Sequence, residues 1–286
     1  MKKKRLILTI LCFLAGAFML YVCVELIHSN DTIGVTRYEV SSSKIEKPIT
    51  IVQITDLHNY SFGTDNEHLV RITEEQSPDI IVMTGDMILH NDPKPEITIK
   101  LCERLLELAP VYFSLGNHET GEGQDFVNEF TTELENVGVI VLEREYLDIE
   151  VNGNAIRIGG VSGYAYTNLP SNAENEAFMY GYEGSYNFKL LLAHQPESMV
   201  AWGGMEAYEV DLTLSGHTHG GQVRLPLIGA VYAPDQGGFP EYAEGIFYKG
   251  SGAIIISRGL GSSGIVPRMW NQPELTVIRL SSEDSD

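Results

Sequence analysis

Cysteine is scarce in this chain. Three of the 286 residues are cysteine, and Cys12 and Cys23 both lie in an apolar N-terminal segment. Cys102 stands alone beyond that segment, so the main domain can form neither an internal disulfide nor a cysteine-based zinc ribbon. The helical spacing of the apolar residues around Cys102 predicts a small buried hydrophobic residue there. This cysteine usage is compatible with either side of a membrane.

Basic residues are also few. The chain has 19 Lys and Arg against 39 Asp and Glu, which gives a formal net charge of −20. Because nucleic-acid binding needs clustered Lys and Arg to neutralise phosphates, the composition argues against nucleic acid as a partner. The apolar and charged fractions are typical of a globular protein. The length allows one large α/β domain or two small ones.

The N-terminal segment combines a basic cluster, Met1-Lys-Lys-Lys-Arg5, with an apolar run from Leu6 to Ile27. A membrane span needs roughly 20 apolar residues, whereas a secretory signal has only about 7–15. The basic cluster favours the cytoplasmic side, so we expect a single-pass membrane protein with the rest of the chain on the extracytoplasmic side. Ala15-Gly16-Ala17 resembles a cleavage site, and a cleaved signal peptide is the alternative. Because apolar sequence continues past that site, the pattern favours an uncleaved anchor over residues 1–27.

The remaining chain divides into a polar tether at 28–47, a main domain at 48–280 and an acidic tail at 281–286. The first half of the main domain alternates apolar strands with amphipathic helices, which is typical of parallel βαβ units. Its predicted strands are 48–55, 79–84 and 111–115, and its predicted helices are 65–76, 95–108 and 124–136. The second half has short strands, with Asn152-Gly153 as a hairpin turn. These strands are 139–142, 147–151, 155–161, 188–193, 210–215, 246–249, 253–257 and 275–280. No structure is assigned to 169–182.

Residue types that bind metals follow the predicted strands, and five of the eight histidines are among them. Carboxylate, imidazole and amide ligands suit a divalent transition metal better than calcium or magnesium alone. The carboxyl ends of parallel strands form the binding crevice of an open α/β sheet, so we expect these segments to converge. In chain order they are Asp56-Leu57-His58, Gly85-Asp86, Gly116-Asn117-His118-Glu119, His194 and Gly216-His217-Thr218-His219.

The order of these segments resembles the signature of the calcineurin-like metallophosphoesterase superfamily, D-x-H, G-D, G-N-H-[DE], H and G-H-x-H. Every motif is present, and the resemblance covers roughly residues 50–280. The segments at 215–226, 257–264 and 268–274 resemble more narrowly a membrane-associated bacterial branch, which includes cell-wall-associated phosphoesterases and enzymes similar to UDP-2,3-diacylglucosamine hydrolases. The resemblance implies an α/β fold, a four-layer α-β-β-α sandwich of two mixed sheets, here preceded by a transmembrane helix.

The resemblance also implies a dinuclear site for two divalent ions, manganese, iron or zinc. The first ion would be bound by Asp56, His58 and His219, and the second by Asn117, His194 and His217. Asp86 would bridge the two ions. A hydroxide between the metals would then attack a phosphate mono- or diester. His118 would be the catalytic residue that stabilises developing charge or protonates the leaving oxygen.

Other residues are predicted with an alternative beside each. Arg258 and Arg268 are candidates for binding the substrate phosphate, or for structural ion pairs. Glu119 is expected either to orient His118 or to act as the acid at a helix N-terminus. His68 and His90 are expected to face solvent or flank helices. A group of tyrosines would form a substrate wall or simply pack. These are Tyr164, Tyr166, Tyr180, Tyr182 and Tyr186.

The function predicted from the sequence is a membrane-anchored phosphohydrolase for a phosphorylated small molecule, lipid or cell-envelope substrate. One alternative is a lipid-linked pyrophosphatase of the UDP-2,3-diacylglucosamine hydrolase type, although an outward-facing domain would seldom meet a cytoplasmic nucleotide-linked lipid. A second alternative is an inactive scaffold that keeps the phosphoesterase fold. The presence of all seven implied ligands and of His118 argues against the scaffold.

Overall fold

The structure is a computed structural model that describes residues 2–167, 173–264 and 266–283. Its strands, in chain order, are β1 (Gly34–Ser41), β2 (Ile49–Ile54), β3 (Ile80–Met83), β4 (Val111–Phe113), β5 (Ile140–Val141), β6 (Glu145–Val151), β7 (Asn154–Val161), β8 (Phe188–Ala193), β9 (Leu212–Ser215), β10 (Arg224–Leu225), β11 (Gly229–Ala230), β12 (Tyr232–Ala233), β13 (Gly237–Gly238), β14 (Gly245–Lys249), β15 (Gly252–Ile256) and β16 (Glu274–Ser281). Its α-helices are α1 (Lys2–Asp31), α2 (Glu67–Glu74), α3 (Pro95–Leu105), α4 (Asn117–Gly121), α5 (Gln124–Val137), α6 (Ala173–Glu183), α7 (Glu197–Val200) and α8 (Gly204–Ala207).

Twelve of these strands form two six-stranded mixed sheets. The first has the order β1-β16-β2-β3-β4-β5, and the second has the order β14-β15-β9-β8-β7-β6. In the first sheet β2 to β5 run parallel, and β16 is antiparallel to β2. In the second sheet β15, β9, β8 and β7 run parallel, and the edge strands β14 and β6 are antiparallel to their neighbours. The carboxyl ends of the parallel strands in each sheet therefore share one edge.

Side chains alternate between two cores along the central strands. On β2, Ile49 and Ile51 point into the core between the sheets, while Val52 and Ile54 pack against the layer of α2, α3 and α5. A third core lies between the second sheet and α6, α7 and α8. Burial on both faces explains why the central strands are predominantly apolar. The predicted α/β sandwich of two mixed sheets is confirmed.

The local signals of the sequence place most of these elements within a few residues. Pro95 begins α3 at the first helical position, where a missing N–H costs nothing. Gly138 ends α5 in the left-handed conformation, which favours glycine. At the β6–β7 turn both Asn152 and Gly153 have positive φ, as a two-residue hairpin requires. Cys102 is fully buried against Met83, as its pattern predicts.

The structure differs from the predicted organisation at both ends of the main domain. The segment 28–47 is not a plain tether, because β1 lies within it and pairs in parallel with β16. β1 is an edge strand with half-exposed side chains, which explains its polar sequence. At the other end, β16 runs to Ser281 and residues 284–286 of the predicted tail lie outside the described residues. Within 169–182, α6 begins at Ala173, and residues 168–172 also lie outside the described residues.

Helix α1 stands apart from the sandwich for most of its length. It is long and apolar enough to cross a membrane, by length and composition only, and its most apolar stretch is not covered by protein. Its last two turns contact the main domain, where Ser29 is fully buried and Asn30 is half-buried. The apolar stretch of the helix is thus exposed, and its carboxyl end contacts the main domain.

Candidate metal centre

Loops at one edge of the sandwich bring together the predicted ligand segments. Asp56 follows β2, Asp86 follows β3, and Asn117 begins α4 after β4. From the second sheet, His194 directly follows β8, and His217 lies two residues beyond β9. Because these strands are parallel within each sheet, their carboxyl ends meet here and the predicted convergence is confirmed.

The first group of ligand atoms comprises Asp56, His58 and His219, all buried. The Asp56 Oδ1 atom lies 3.6 Å from His219 Nε2 and 3.8 Å from His58 Nε2. The two Nε2 atoms are 3.3 Å apart. Three nitrogen and oxygen atoms therefore face one small space, as a bound cation requires.

The second group comprises Asp86, His194 and His217, and it lies beside the first. The Asp86 Oδ2 atom is 3.1 Å from His194 Nε2 and 3.9 Å from His58 Nε2. One carboxylate thus reaches both groups. Asn117 begins α4 beside them, and its buried Oδ1 has no hydrogen-bond partner among the described residues.

Hydrogen bonds determine which ring nitrogen of His58, His194 and His217 is unprotonated in the neutral ring. The Nδ1 atom of His58 lies 3.2 Å from the Ile88 carbonyl oxygen, and that of His194 lies 2.6 Å from the Thr84 carbonyl oxygen. A carbonyl accepts only a protonated nitrogen, so both rings turn an unprotonated Nε2 towards the groups when neutral. In His217 the two nitrogens have the opposite roles, because Nε2 donates its hydrogen to Asp235 Oδ2 at 3.0 Å and Nδ1 is the unprotonated nitrogen of the neutral ring.

The residues fit divalent ions on three observations. Asp56 and Asp86 bury two carboxylates in one place, which is costly without a cation. The Asn117 Oδ1 atom is buried and has no hydrogen-bond partner in the described chain, and the buried His194 Nε2 faces the Asp86 carboxylate at 3.1 Å. Carboxylate, imidazole and amide together are ligands that manganese, iron and zinc accept. Such unpaired buried atoms are rare unless a ligand satisfies them.

Burial and the nearby carboxylates together determine the protonation of the histidines. It lowers the pKa of His58 to about 3, and it holds that of His219 well below its usual range, assisted by His58 and Arg268. At His194 burial acts in the same direction, but the nearby carboxylates of Asp86 and Asp56 outweigh it and raise the pKa to about 10. Two of the three rings are thus neutral, the form that binds a metal, and His194 must release a proton to do so.

Most of the seven predicted ligand residues have a strained backbone conformation. Five of them have a positive φ, a conformation that costs about 1–3 kcal/mol for a residue with a side chain. They are Asp56 (φ 54), His58 (φ 48), Asp86 (φ 52), His217 (φ 71) and His219 (φ 51). Backbone hydrogen bonds between the loops, from Asp56 N–H to Gly85 and from His58 N–H to Asp86, hold this geometry.

Two glycines allow other loops to approach Asp56. A Cβ atom at Gly216 would lie 2.2 Å from Asp56 Oδ2. At Gly259, which has a φ of 69°, a Cβ atom would lie 2.5 Å from the Cβ atom of Asp56. Both positions therefore exclude a side chain. This explains the glycine of Gly-His-Thr-His and that of the segment Ser257-Arg-Gly-Leu-Gly.

His118 lies at the edge of the two groups. Its Nε2 atom is 3.8 Å from Asp86 Oδ2, and its Nδ1 accepts a hydrogen bond of 2.8 Å from the backbone N–H of His90. An accepting Nδ1 leaves the proton of the neutral ring on Nε2, which faces the ligands. Burial lowers the pKa of His118, and the ring lines a cavity shared with Asn117 and Ser263.

Glu119 connects two ligand loops. Its carboxylate accepts backbone N–H groups of Asp86 (2.9 Å), Met87 (2.7 Å), Ile88 (3.2 Å) and Gly116 (2.8 Å). These contacts agree with the prediction that Glu119 is the acid at a helix N-terminus. The other prediction, that Glu119 orients His118, is not supported, because the backbone N–H of His90 makes that contact. Glu119 is fully buried, and burial together with Asp86 raises its pKa to about 7.

The two predicted phosphate-binding arginines have different surroundings. Arg258 lies 3.4 Å from a Glu244 oxygen and 3.5 Å from a Glu274 oxygen, contacts of a structural ion pair. Arg268 is buried, with Nε donating to the Gly261 carbonyl and Nη2 lying 3.4 Å from His219 Nδ1. Its Nη1 is buried and has no hydrogen bond within the described ranges.

Asp235 is a site residue that the sequence reasoning missed. It lies in the turn between β12 and β13, and its Oδ2 accepts hydrogen bonds from His217 and from the Tyr164 hydroxyl, the latter of 2.8 Å. In the sequence, Pro234-Asp235 has only the signal of a turn. Of the other predicted tyrosines, Tyr166, Tyr180 and Tyr182 pack against aromatic rings, and Tyr186 is exposed.

Comparison with known proteins agrees with this geometry. The family model described as calcineurin-like phosphoesterase matches residues 49–221. The chain is 30% identical over 264 residues to the uncharacterized metallophosphoesterase YkuE of Bacillus subtilis, covering 87% of this chain and 86% of that protein. It is 28% identical over 237 residues to the phosphodiesterase YaeI of Escherichia coli, covering 82% of each. The fold is similar to the solved structure of TT1561 from Thermus thermophilus, with a TM-score of 0.50, 12% identity and coverage of 75% of this chain and 91% of that one. The chain therefore belongs to the calcineurin-like phosphoesterase family and is a metal-dependent phosphoesterase.

Proposed function

We propose that the protein is a phosphodiesterase with two divalent ions, manganese, iron or zinc, in its site. The observation that carries this proposal is the pair of adjacent ligand groups with Asp86 within reach of both. Asp56, His58 and His219 would hold the first ion, Asn117, His194 and His217 would hold the second, and Asp86 would be shared by both. This is the ligand assignment that the family resemblance implies.

The ions supply a water of lowered pKa and a clamp for phosphoryl oxygens. The chain itself manages the protons. Because His90 N–H donates to His118 Nδ1, the neutral His118 ring holds its proton at Nε2, towards the ligands. His118 can then donate that proton to the leaving oxygen, a step suited to an imidazole. The carbonyl oxygens of Ile88 and Thr84 accept the Nδ1–H groups of His58 and His194, and these buried hydrogen bonds keep the two rings fixed.

Two observations support a diester as substrate. One relative is named a phosphodiesterase. A diester carries one negative charge, whereas a monoester carries nearly two at neutral pH. The charge of Arg258 is already compensated by Glu244 and Glu274, so it offers little to a second phosphate charge. Arg268, with its unpartnered Nη1, remains the candidate that binds the substrate phosphate.

The proposal includes an uncleaved membrane anchor with the catalytic domain on the extracytoplasmic side. The apolar stretch of helix α1 is exposed, and the basic cluster precedes this stretch. The last turns of α1 also bind the main domain, since Asn30 exchanges hydrogen bonds with the Arg268 backbone. Cleavage after Ala17 would divide this helix. The substrate would then be a phosphorylated small molecule, a lipid or a cell-envelope component.

A hydrolysis assay tests the proposal. The full chain, purified in detergent, should hydrolyse bis-p-nitrophenyl phosphate faster than p-nitrophenyl phosphate, with activity lost in chelator and restored by manganese or zinc. Asp86→Asn should lower kcat/KM more than about 100-fold, because loss of a metal ligand costs more than the roughly 10–100-fold typical for loss of a residue that hydrogen-bonds to a ligand. His68→Ala, an exposed histidine beside Glu67, is the matched control and should remain fully active. Full activity of Asp86→Asn would reject the shared ligand, and a preference for the monoester would reject the diester.

A further inference from the structure

An exposed apolar patch projects from the loop that follows the metal ligand His219. We call Leu225, Leu227, Ile228 and Trp270 the hairpin patch. Leu227 is fully exposed at the turn between β10 and β11, Ile228 is 62% exposed, and Trp270 lies against the hairpin in one shared depression. Large aliphatic side chains gathered at a protruding turn are unusual on a soluble surface and indicate a contact site.

The hairpin patch is continuous with helix α1. The indole N–H of Trp270 donates a hydrogen bond of 2.9 Å to the Tyr21 hydroxyl of α1, and the two rings lie 6.4 Å apart. Further contacts fix the helix in place, because Ser29 Oγ accepts the backbone N–H of Asn271 and Tyr60 donates to Asp31. The patch therefore has a defined position along the apolar helix.

That position corresponds to the interface of a bilayer. Tyr21 lies six residues before Ile27, the end of the apolar run, which is about 9 Å along an α-helix. Interfacial protein segments insert to a depth of about 5–10 Å, and Trp and Tyr are enriched at this level. If α1 spans the membrane, Trp270 and the hairpin tip lie at the depth of the lipid headgroups.

The charges around the patch favour a neutral lipid surface. Arg224, the only basic residue of the hairpin strands, pairs with Glu244 at 2.6 Å. The chain as a whole carries a net charge of −20, so anionic lipids would repel it. Apolar insertion is then the source of binding, and it needs no charged lipid.

We propose that the hairpin patch is a second membrane contact, inserted into the outer surface of the bilayer beside α1. This inference rests on the anchoring part of the proposed function. Because Gln222 and the hairpin follow directly after His219-Gly-Gly, insertion would hold the His219 loop and the metal edge of the sandwich at the headgroup layer.

Quenching of tryptophan fluorescence by brominated lipid tests this contact. The chain has two tryptophans, and Trp202 lies beside Tyr164, against the other sheet's helical layer. The full chain is placed in phosphatidylcholine vesicles with brominated acyl chains. Trp202→Phe keeps Trp270, which should lose roughly half or more of its emission at interfacial depth. Trp270→Phe keeps Trp202 as the matched control, which should be unaffected.

A third variant separates the hairpin from the helix. In a chain that lacks both native tryptophans, Leu227→Trp places the reporter at the fully exposed tip, a position that already has a large apolar side chain. Quenching at position 227 supports insertion of the hairpin, and its absence overturns the proposal even if Trp270 is quenched beside α1. Vesicle flotation and bis-p-nitrophenyl phosphate hydrolysis accompany each variant. If the protein floats with the vesicles but the reporters are not quenched, the membrane contact of the hairpin patch is rejected and the α1 anchor is kept. If the protein does not float, both the anchor and the contact are rejected. Hydrolysis of the diester reports on the active site separately.

Discussion

At the scale of single residues, neighbours decide what each ligand can do. Asp86 and His194 would be ordinary turn and strand-end residues in isolation, yet their side chains meet at 3.1 Å. His217 presents Nδ1 to the second group because Asp235 accepts the hydrogen of Nε2. A carboxylate behind a metal-binding histidine fixes the ring and makes it a stronger ligand. Asp235 is thus a positioning residue for His217.

We expect Asp235→Ala to weaken metal binding at the group of Asp86, His194 and His217 by about 10–100-fold. Titration calorimetry and metal content after dialysis would measure this directly. Asp148→Ala is the matched control, because that carboxylate lies on the edge strand β6 and pairs with Arg157 of β7. A metal affinity equal to that of the unmodified chain would show that Asp235 does not support His217.

At the scale of elements, the ligand loops are held to each other rather than formed independently. The N-terminus of α4 carries Glu119, whose carboxylate gathers N–H groups from the loop after β3 and from Gly116. The loops after β2 and β3 share backbone hydrogen bonds. The left-handed conformations of Asp56, His58 and Asp86 persist because this network over-determines them.

Removing the carboxylate in Glu119→Ala should destabilise the fold by about 3 kcal/mol or more, since four buried N–H groups lose their acceptor. A loss of that size corresponds to a fall in Tm of roughly 6–10 °C for a domain of this length. Scanning calorimetry of metal-loaded protein would measure it. Glu133→Ala, on the exposed face of α5, should leave Tm unchanged. Equal melting of both variants would mean that the network does not depend on Glu119.

The elements that sequence reasoning places well are those with local signals. The strand β3, which is buried on both faces, has a continuous apolar sequence, and α3 and α5 have apolar periodicity with clear ends. β1 has the sequence of a tether because an edge strand is half-exposed and polar. The two-residue strands β10 to β13 have no periodicity at all. Their pairing depends on the sheets around them.

At the scale of the whole molecule, a strongly acidic catalytic domain is joined to one apolar helix. The helix docks through its last turns onto the loop that contains Arg268, and Arg268 in turn approaches His219. Helix α1 and the group of Asp56, His58 and His219 are therefore linked through a single loop. This arrangement is compatible with the proposed membrane anchor.

We expect the catalytic domain of intact cells to be digested by a protease added from outside after the outer layers are made permeable. The basic cluster at the N-terminus should be protected on the inner side, because Lys and Arg favour the cytoplasmic face. Immunoblotting with tags at both ends would measure this, with a cytoplasmic enzyme as the intactness control. Protection of the domain together with the control would place it inside.

The sequence by itself determined the order of ligand types, their positions after strands, the acidic charge and the apolar N-terminal helix. These are local properties, set by residue type and short-range periodicity. The family resemblance implied the shared role of Asp86, but only the tertiary structure decided the distances by which Asp86 reaches both groups, that Glu119 binds the loops, and that Asp235 supports His217. Such contacts join residues distant in the chain, and no short-range pattern encodes them. They arise when the carboxyl ends of parallel strands meet at one edge of two packed sheets.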